Sequence, residues 1–123
     1  MVVNHGLLSP PRQARVEFML NANIAPRLMT LDEFLPLVGQ VLLADCNPKP
    51  AELKLVQARP LTNHGLAPRP PFILILRSTP EILLVAGTYA MRCGEWGPDL
   101  IYIEQIASLG FTEPGHFYQA IFN

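Results

Sequence analysis

From residue 40 onward the chain is a run of short apolar segments with no room for a helix between them. The segments are "QVLLADC", "ELKLVQARPL", "FILILRS", "ILLVAGTYAMR", "LIYIEQIAS" and "HFYQAIFN". Between them lie "PKPAE", "TNHGLAPRPP", "STPE", "CGEWGPD" and "LGFTEPG", rich in the Pro, Gly, Asn and Asp that make turns. A parallel strand pair needs a crossover of about a dozen residues or more, usually a helix. These linkers are too short, so the sheet must be mainly antiparallel.

Alternation then says how the sheet is covered. In "FILILRS", Phe72, Leu74 and Leu76 fall on one face, opposite Ile73, Ile75 and Arg77. In "HFYQAIFN", Tyr118, Ala120 and Phe122 oppose Phe117, Gln119 and Ile121. Both faces of both segments are largely apolar. "ELKLVQARPL" is half-exposed, with Leu53 and Leu55 opposite Glu52 and Lys54. Strands needing cover on two sides imply closure into a small barrel or stacking as a sandwich. Gly87, inside "ILLVAGTYAMR", marks a bulge or bend.

One helix is signalled, over residues 31–38. Thr30 is a good N-cap and Glu33 stands three residues on, as a capping box requires. Asp32 and Glu33 suit the positive end of the helix dipole. Leu31, Phe34, Leu35 and Val38 have helical spacing, Pro36 keeps the element short, and Gly39 can end it. The expected fold is therefore mainly β: about six antiparallel strands in a barrel or sandwich, with one short N-terminal helix. Residues 29–123 read as a single all-β domain. Residues 1–28, with turn residues and no sustained period, read as an extension that drapes over the domain or reaches a neighbour.

Composition narrows function more than it identifies it. Half of the 123 residues are hydrophobic and only 15% are charged, against about a quarter in average domains. Few polar residues remain to cover the outside, so part of the surplus suits a partner-binding surface; an ordinary apolar share of surface accounts for it equally well. Net charge is -1 and the nine Lys/Arg are scattered, so no nucleic-acid partner is expected. No apolar run reaches the roughly 18 residues of a membrane span. "MVVNHGLLSPPRQAR" lacks the basic and hydrophobic regions of a secretory signal. The expected location is cytoplasmic, with export by a route needing no cleaved signal left open.

Catalytic signatures are missing. The sequence holds no GxSxG, no HExxH and no P-loop. His5, His64 and His116 with Cys46 and Cys93 lack the spacing of a zinc motif, so neither a metal nor another cofactor is expected. Cys46 and Cys93 are expected to be free and buried. "NHGL" occurs at residues 4–7 and 63–66, but its flanks do not continue the similarity, so both copies read as turns. Glu104 is either a buried functional acid or, as its strand position favours, a solvent-facing residue beside Tyr102. Trp96, Tyr89, Tyr102 and Tyr118 read either as a partner-binding patch or as core residues at strand ends. Trp96, between glycines in "CGEWGPD", is expected to be the most exposed of them. Arg77 and Arg92 are expected to pair with Glu104 or Glu81. The loops "TNHGLAPRPP", carrying His64, and "CGEWGPD" are the expected seats of specificity.

Taken in order, "LDEFLPLVGQ", "ELKLVQA", "PFILILRS", "GTYAM", "LIYIEQI" and "FYQAIFN" resemble a small uncharacterised bacterial domain family over roughly residues 29–123. The resemblance implies no catalytic residues. Its members' setting beside phage-tail-collar-like proteins implies an interaction role at most.

Three functions are then in play. The first is a non-enzymatic accessory module that binds a protein or itself, with strand addition at an exposed edge as one mode. The second is a small barrel enzyme or small-molecule binder with an interior pocket lined by Tyr89, Tyr102 and Glu104. The third uses Cys93 with His64 or His116. The ending "HFYQAIFN" is read as an interior strand. Deleting residues 118–123 should abolish the cooperative thermal transition followed by circular dichroism. Removing residues 1–10 should leave it in place.

Overall fold

A computed structural model describes residues 7–8, 24–63, 65, 69–108 and 110–123, with Leu7 and Leu8 described by backbone alone. It is a closed six-stranded antiparallel barrel. The elements are β1 (Leu7–Leu8), α1 (Leu31–Phe34), a 3-10 turn (Leu35–Leu37), β2 (Val41–Ala44), β3 (Ala51–Pro60), β4 (Phe72–Ser78), β5 (Leu83–Leu84), β6 (Gly87–Cys93), β7 (Trp96–Ile106) and β8 (His116–Phe122). The barrel order is β2-β3-β4-β8-β7-β6, with β6 returning to β2. β1 and β5 form a separate parallel pair, Leu7 with Leu83 and Leu8 with Leu84.

The helix region divides where Pro36 predicts. Leu31–Phe34 is α-helical, and Leu35–Leu37 tightens to a 3-10 turn with Pro36 in its first positions. Glu33 reaches back to accept the Thr30 backbone N–H at 3.0 Å. Gly39 ends the unit at φ +91°, a conformation that side-chain-bearing residues resist.

The barrel interior is packed with side chains. Leu42, Leu53, Leu55, Leu74, Leu76, Tyr89, Met91, Ile101, Ile103 and Tyr118 are fully buried there. Barrel width grows with strand number, and six strands leave a core that side chains fill. Phe34 plugs the assembly. Its ring lies 5.8 Å from both Phe72 and Phe122 and 5.0 Å from Trp96. Phe72 and Phe122 stack at 4.4 Å, and the Arg69 guanidinium caps both rings at 5.6 and 5.5 Å.

The two-sided strands are explained without a second sheet. On the outer face of β4 and β8, Ile73, Ile75 and Phe117 form a second buried cluster. Val56, Leu61, Ile106 and Phe111 cover it, and Phe111 stacks on Phe117 at 5.0 Å. Val56 faces out with Lys54 by strand alternation, and the β3–β4 register shift between Leu55 and Gln57 then returns Ala58 to the core side. β8 pairs with β4 along its length, from Phe72↔Phe122 to Ser78↔His116, and with β7 from Glu104↔Gln119 to Ile106↔Phe117. It is an interior strand.

Two sequence expectations need correction. "ILLVAGTYAMR" is not one strand: Leu83–Leu84 leaves the barrel and β6 starts at Gly87. "CGEWGPD" is not an open loop, because Cys93 pairs with Trp96 across a tight Gly94–Glu95 turn. Its glycines serve the hairpin. A Cβ on Gly97 (φ +88°) would come within 2.5 Å of the Met91 carbonyl oxygen, so the backbone approach itself demands glycine.

A buried polar chain fixes the segment between β4 and β6. The Tyr118 hydroxyl accepts the Leu84 N–H at 3.1 Å and lies 2.8 Å from Ser78 Oγ. Ser78 Oγ donates its only proton to the Ile82 carbonyl at 2.7 Å. The Tyr118 hydroxyl must therefore donate to Ser78. Tyr118 and Ser78 are both fully buried. Tyr118→Phe leaves the Leu84 N–H without a partner and the Ser78 oxygen without its donor, although Ser78 keeps its bond to Ile82, and should cost about 1–3 kcal/mol in urea unfolding. Leu55→Val, which preserves polar satisfaction, should cost about 0.5–1.5 kcal/mol, in the range of a single deleted methylene group.

Candidate functional site

The surface that stands out begins in the chain just before the barrel. Among the described residues the large exposed hydrophobic ones are Leu28, Leu35, Val38, Val41, Leu43, Tyr102 and Ile121. Five of these seven fall between residues 28 and 43, on the lead-in, the 3-10 turn and β2. The reason is strand alternation. Leu42 and Ala44 turn into the core, which leaves Val41 and Leu43 facing out. On β3, Lys54 lies opposite Val41 and Glu52 opposite Leu43. On the other side, Leu43 faces Arg92 of β6. Arg92 holds Asp45 through two bonds of 3.0 Å.

A charged clip holds this region to the barrel. Arg27 donates to Asp99 through Nε at 3.0 Å and Nη2 at 2.8 Å, across 72 residues. It also donates to Glu33, through Nη1 at 3.0 Å and Nη2 at 2.5 Å. Trp96 Nε1 donates to Glu33 Oε1 at 3.2 Å. The Arg27 bonds, followed by the Thr30 N–H and Trp96, outweigh desolvation and hold the Glu33 carboxyl down at about 2. The same two carboxylates push the Arg27 guanidinium up. Both Glu33 oxygens are engaged by groups of the chain itself, so the arrangement fits a structural clip better than a proton-transfer site.

The candidates named from sequence are scattered. Tyr89 and Tyr118 are buried inside the barrel and are off the surface. The Tyr89 hydroxyl donates to the Val85 carbonyl at 2.7 Å, and burial raises both phenol pKa values. Trp96, expected exposed in a loop, instead opens β7 and packs against Phe34. Tyr102 is exposed on the outer face of β7. Glu104 is solvent-facing two residues on and accepts a bond from Gln119 at 3.1 Å. Arg77 and Arg92 do not pair with Glu104 or Glu81: Arg77 donates to the Pro114 carbonyl at 2.7 Å, and Arg92 to Asp45. The strand register decides who is near: Arg92 pairs opposite Leu43, two residues from Asp45. His64 lies outside the described residues.

Cys46 and Cys93 are free and buried. Cys93 Sγ meets Gln40 Oε1 at 3.6 Å, while His116 is held by Gln105 and the Pro80 carbonyl. Among the described residues no group of His, Cys, Asp and Glu is placed to hold a metal ion, and no helix is long and apolar enough to cross a membrane. Sequence reasoning missed Arg27, Asp99 and the outward face of β2. The last was readable, since "QVLLADC" alternates once Leu42 is assigned inward.

These features define a small closed β-barrel domain with a packed interior and an aliphatic outer face. The chain belongs to the DUF6916 family, a domain of unknown function, whose sequence profile matches residues 29–122. No curated protein and no solved structure matches it.

The clip makes stability depend on acid. Glu33 is depressed in the folded state, so its contribution is complete above the ordinary carboxyl value of 4.5 and is lost as pH falls toward about 2. Unfolding free energy should fall across that window by on the order of 1 kcal/mol, allowing for solvent screening at half-exposed Arg27. Glu33→Gln should flatten this part of the pH profile.

Proposed function

We propose that this protein is a non-enzymatic interaction module that works through its outer surface, binding a protein partner or a second copy of itself. One contrast carries the reading: the described interior is filled by apolar side chains, while five of the seven large exposed hydrophobic residues among those described fall in the chain between residues 28 and 43. A solvent-facing apolar group of this kind is what protein contacts use. The alternative of an interior-pocket enzyme or binder is disfavoured by that filling. Of its three proposed lining residues, Tyr89 faces the core, whereas Tyr102 and Glu104 are exposed. A ligand pocket needs converging polar groups around a concavity.

Barrel closure bears on the mode of binding. The six strands pair in a ring, so side-chain contact suits this surface better than strand addition. The finer reading, that the partner is a phage-tail-collar-like protein, rests on the genomic setting of the resembling family. Cytoplasmic action is part of the same proposal.

Size-exclusion chromatography with light scattering tests the module reading, run on the protein alone and mixed with the product of the neighbouring gene. A co-eluting complex or a concentration-dependent oligomer is expected. A clean monomer that ignores its neighbour at micromolar concentration would count against the module reading.

A further inference from the structure

The register of β2 against β3 builds a block of four outward side chains. Val41 stands beside Lys54, and Leu43 beside Glu52. One column is aliphatic. The other carries a base and an acid two residues apart on the same face. Rotate a second copy by 180° about an axis that lies in the plane of contact, perpendicular to these strands and midway between the two rows. Each row then meets the other row of the partner. Val41 faces the partner's Leu43, and Glu52 faces the partner's Lys54, with the reverse contacts made at the same time.

Resting on the module reading above, we propose that the outer face of β2 and β3 is a self-complementary dimer interface whose occupant is a second copy of this chain. The charges choose this occupant. A face with one sign of charge would repel its own copy, whereas Glu52 and Lys54 exchange partners under the two-fold. Neither is committed internally in a way that prevents it. Glu52 is exposed. Lys54 lies 3.6 Å from Glu113, with both side chains partly in solvent, a pairing worth little.

Leu35 and Val38, 49% and 42% exposed, lie in the chain segment that leads into β2. The Asp45–Arg92 pair borders the opposite side. A contact of four aliphatic residues with a charged rim belongs at the low end of specific interfaces, below about 1,200 Å² in total. Dissociation in the micromolar range is therefore expected.

Analytical ultracentrifugation of the full chain, over a concentration series from micromolar to millimolar, tests this. The wild-type protein should pass reversibly from monomer to dimer. Leu43→Glu should weaken the dimer by about tenfold or more, since it sets a carboxylate against the partner's Val41. Its thermal transition should stay close to wild type, because the residue faces out.

Glu52→Lys and Lys54→Glu, made singly, should each weaken association by about threefold to tenfold by placing like charges together. The double variant should recover to within about threefold of wild type. This rescue keeps the test decisive if Leu43→Glu disturbs folding. A chain that stays monomeric at millimolar concentration overturns the inference, as does a dimer indifferent to Leu43→Glu or a double variant no better than the singles. A monomer that still binds its neighbour's product overturns this interface and leaves the module reading standing.

Discussion

Closure of the barrel depends on its shortest strand. β2 has four residues and must reach β3 on one side and β6 on the other. Toward β3 it is paired along its length, Val41↔Lys54 to Ala44↔Ala51. Toward β6 it has two register pairs, Leu43↔Arg92 and Ala44↔Met91. The seam is completed by the Asp45 N–H on the Ala90 carbonyl at 2.9 Å and by the Arg92–Asp45 ion pair. That pair is partly solvent-exposed and worth about 1 kcal/mol or less. Burial of Leu42 and Ala44 behind the seam supplies more, since a fully buried leucine contributes about 1.5–3 kcal/mol. The strand that closes the ring thus sends alternate residues to the core and leaves Val41 and Leu43 outside. The surface assigned here to association follows from how the ring is shut.

A second consequence concerns the segment ahead of the barrel. Ile24 and Met29 are buried, and Arg27 ties Glu33 of α1 to Asp99 of β7. Phe34 can then plug the barrel against Phe72, Phe122 and Trp96. Residues 24–28 therefore take part in covering the barrel, although they precede the region matched by the family profile. The clip also orients α1 and, through the 3-10 turn, the exposed residues Leu35 and Val38. Position of the aliphatic face and acid sensitivity of the fold are linked through one carboxylate.

Much of this architecture is legible in the sequence, and the exceptions have physical causes. Short linkers excluded parallel crossovers, and the two-sided patterns of Phe72–Arg77 and Phe117–Phe122 demanded cover on both faces. Periodicity could not say what the cover was. The outer cover over Phe117 is Phe111, supplied by the preceding turn, together with Val56 from a bulge. Glycine counting misread Gly94 and Gly97, which serve a tight hairpin and a close backbone approach. Trp96 was misplaced with them. Arg27 and Asp99 are 72 residues apart, and no local pattern signals such a pair. For Tyr118 the sequence leaves a partner-binding patch and the core both open; the barrel order places it in the core and supplies its Ser78 and Leu84 partners.

On the proposal above, the barrel acts through its outside and is closed within. Methyl-resolved NMR of the full chain, recorded on dilution from millimolar to micromolar concentration, addresses it most directly. Concentration-dependent shifts are expected at the Val41 and Leu43 methyls, with Leu74, Ile101 and Ile103 unchanged. Shifts confined to those interior methyls, or an outer face silent at every concentration, would contradict it.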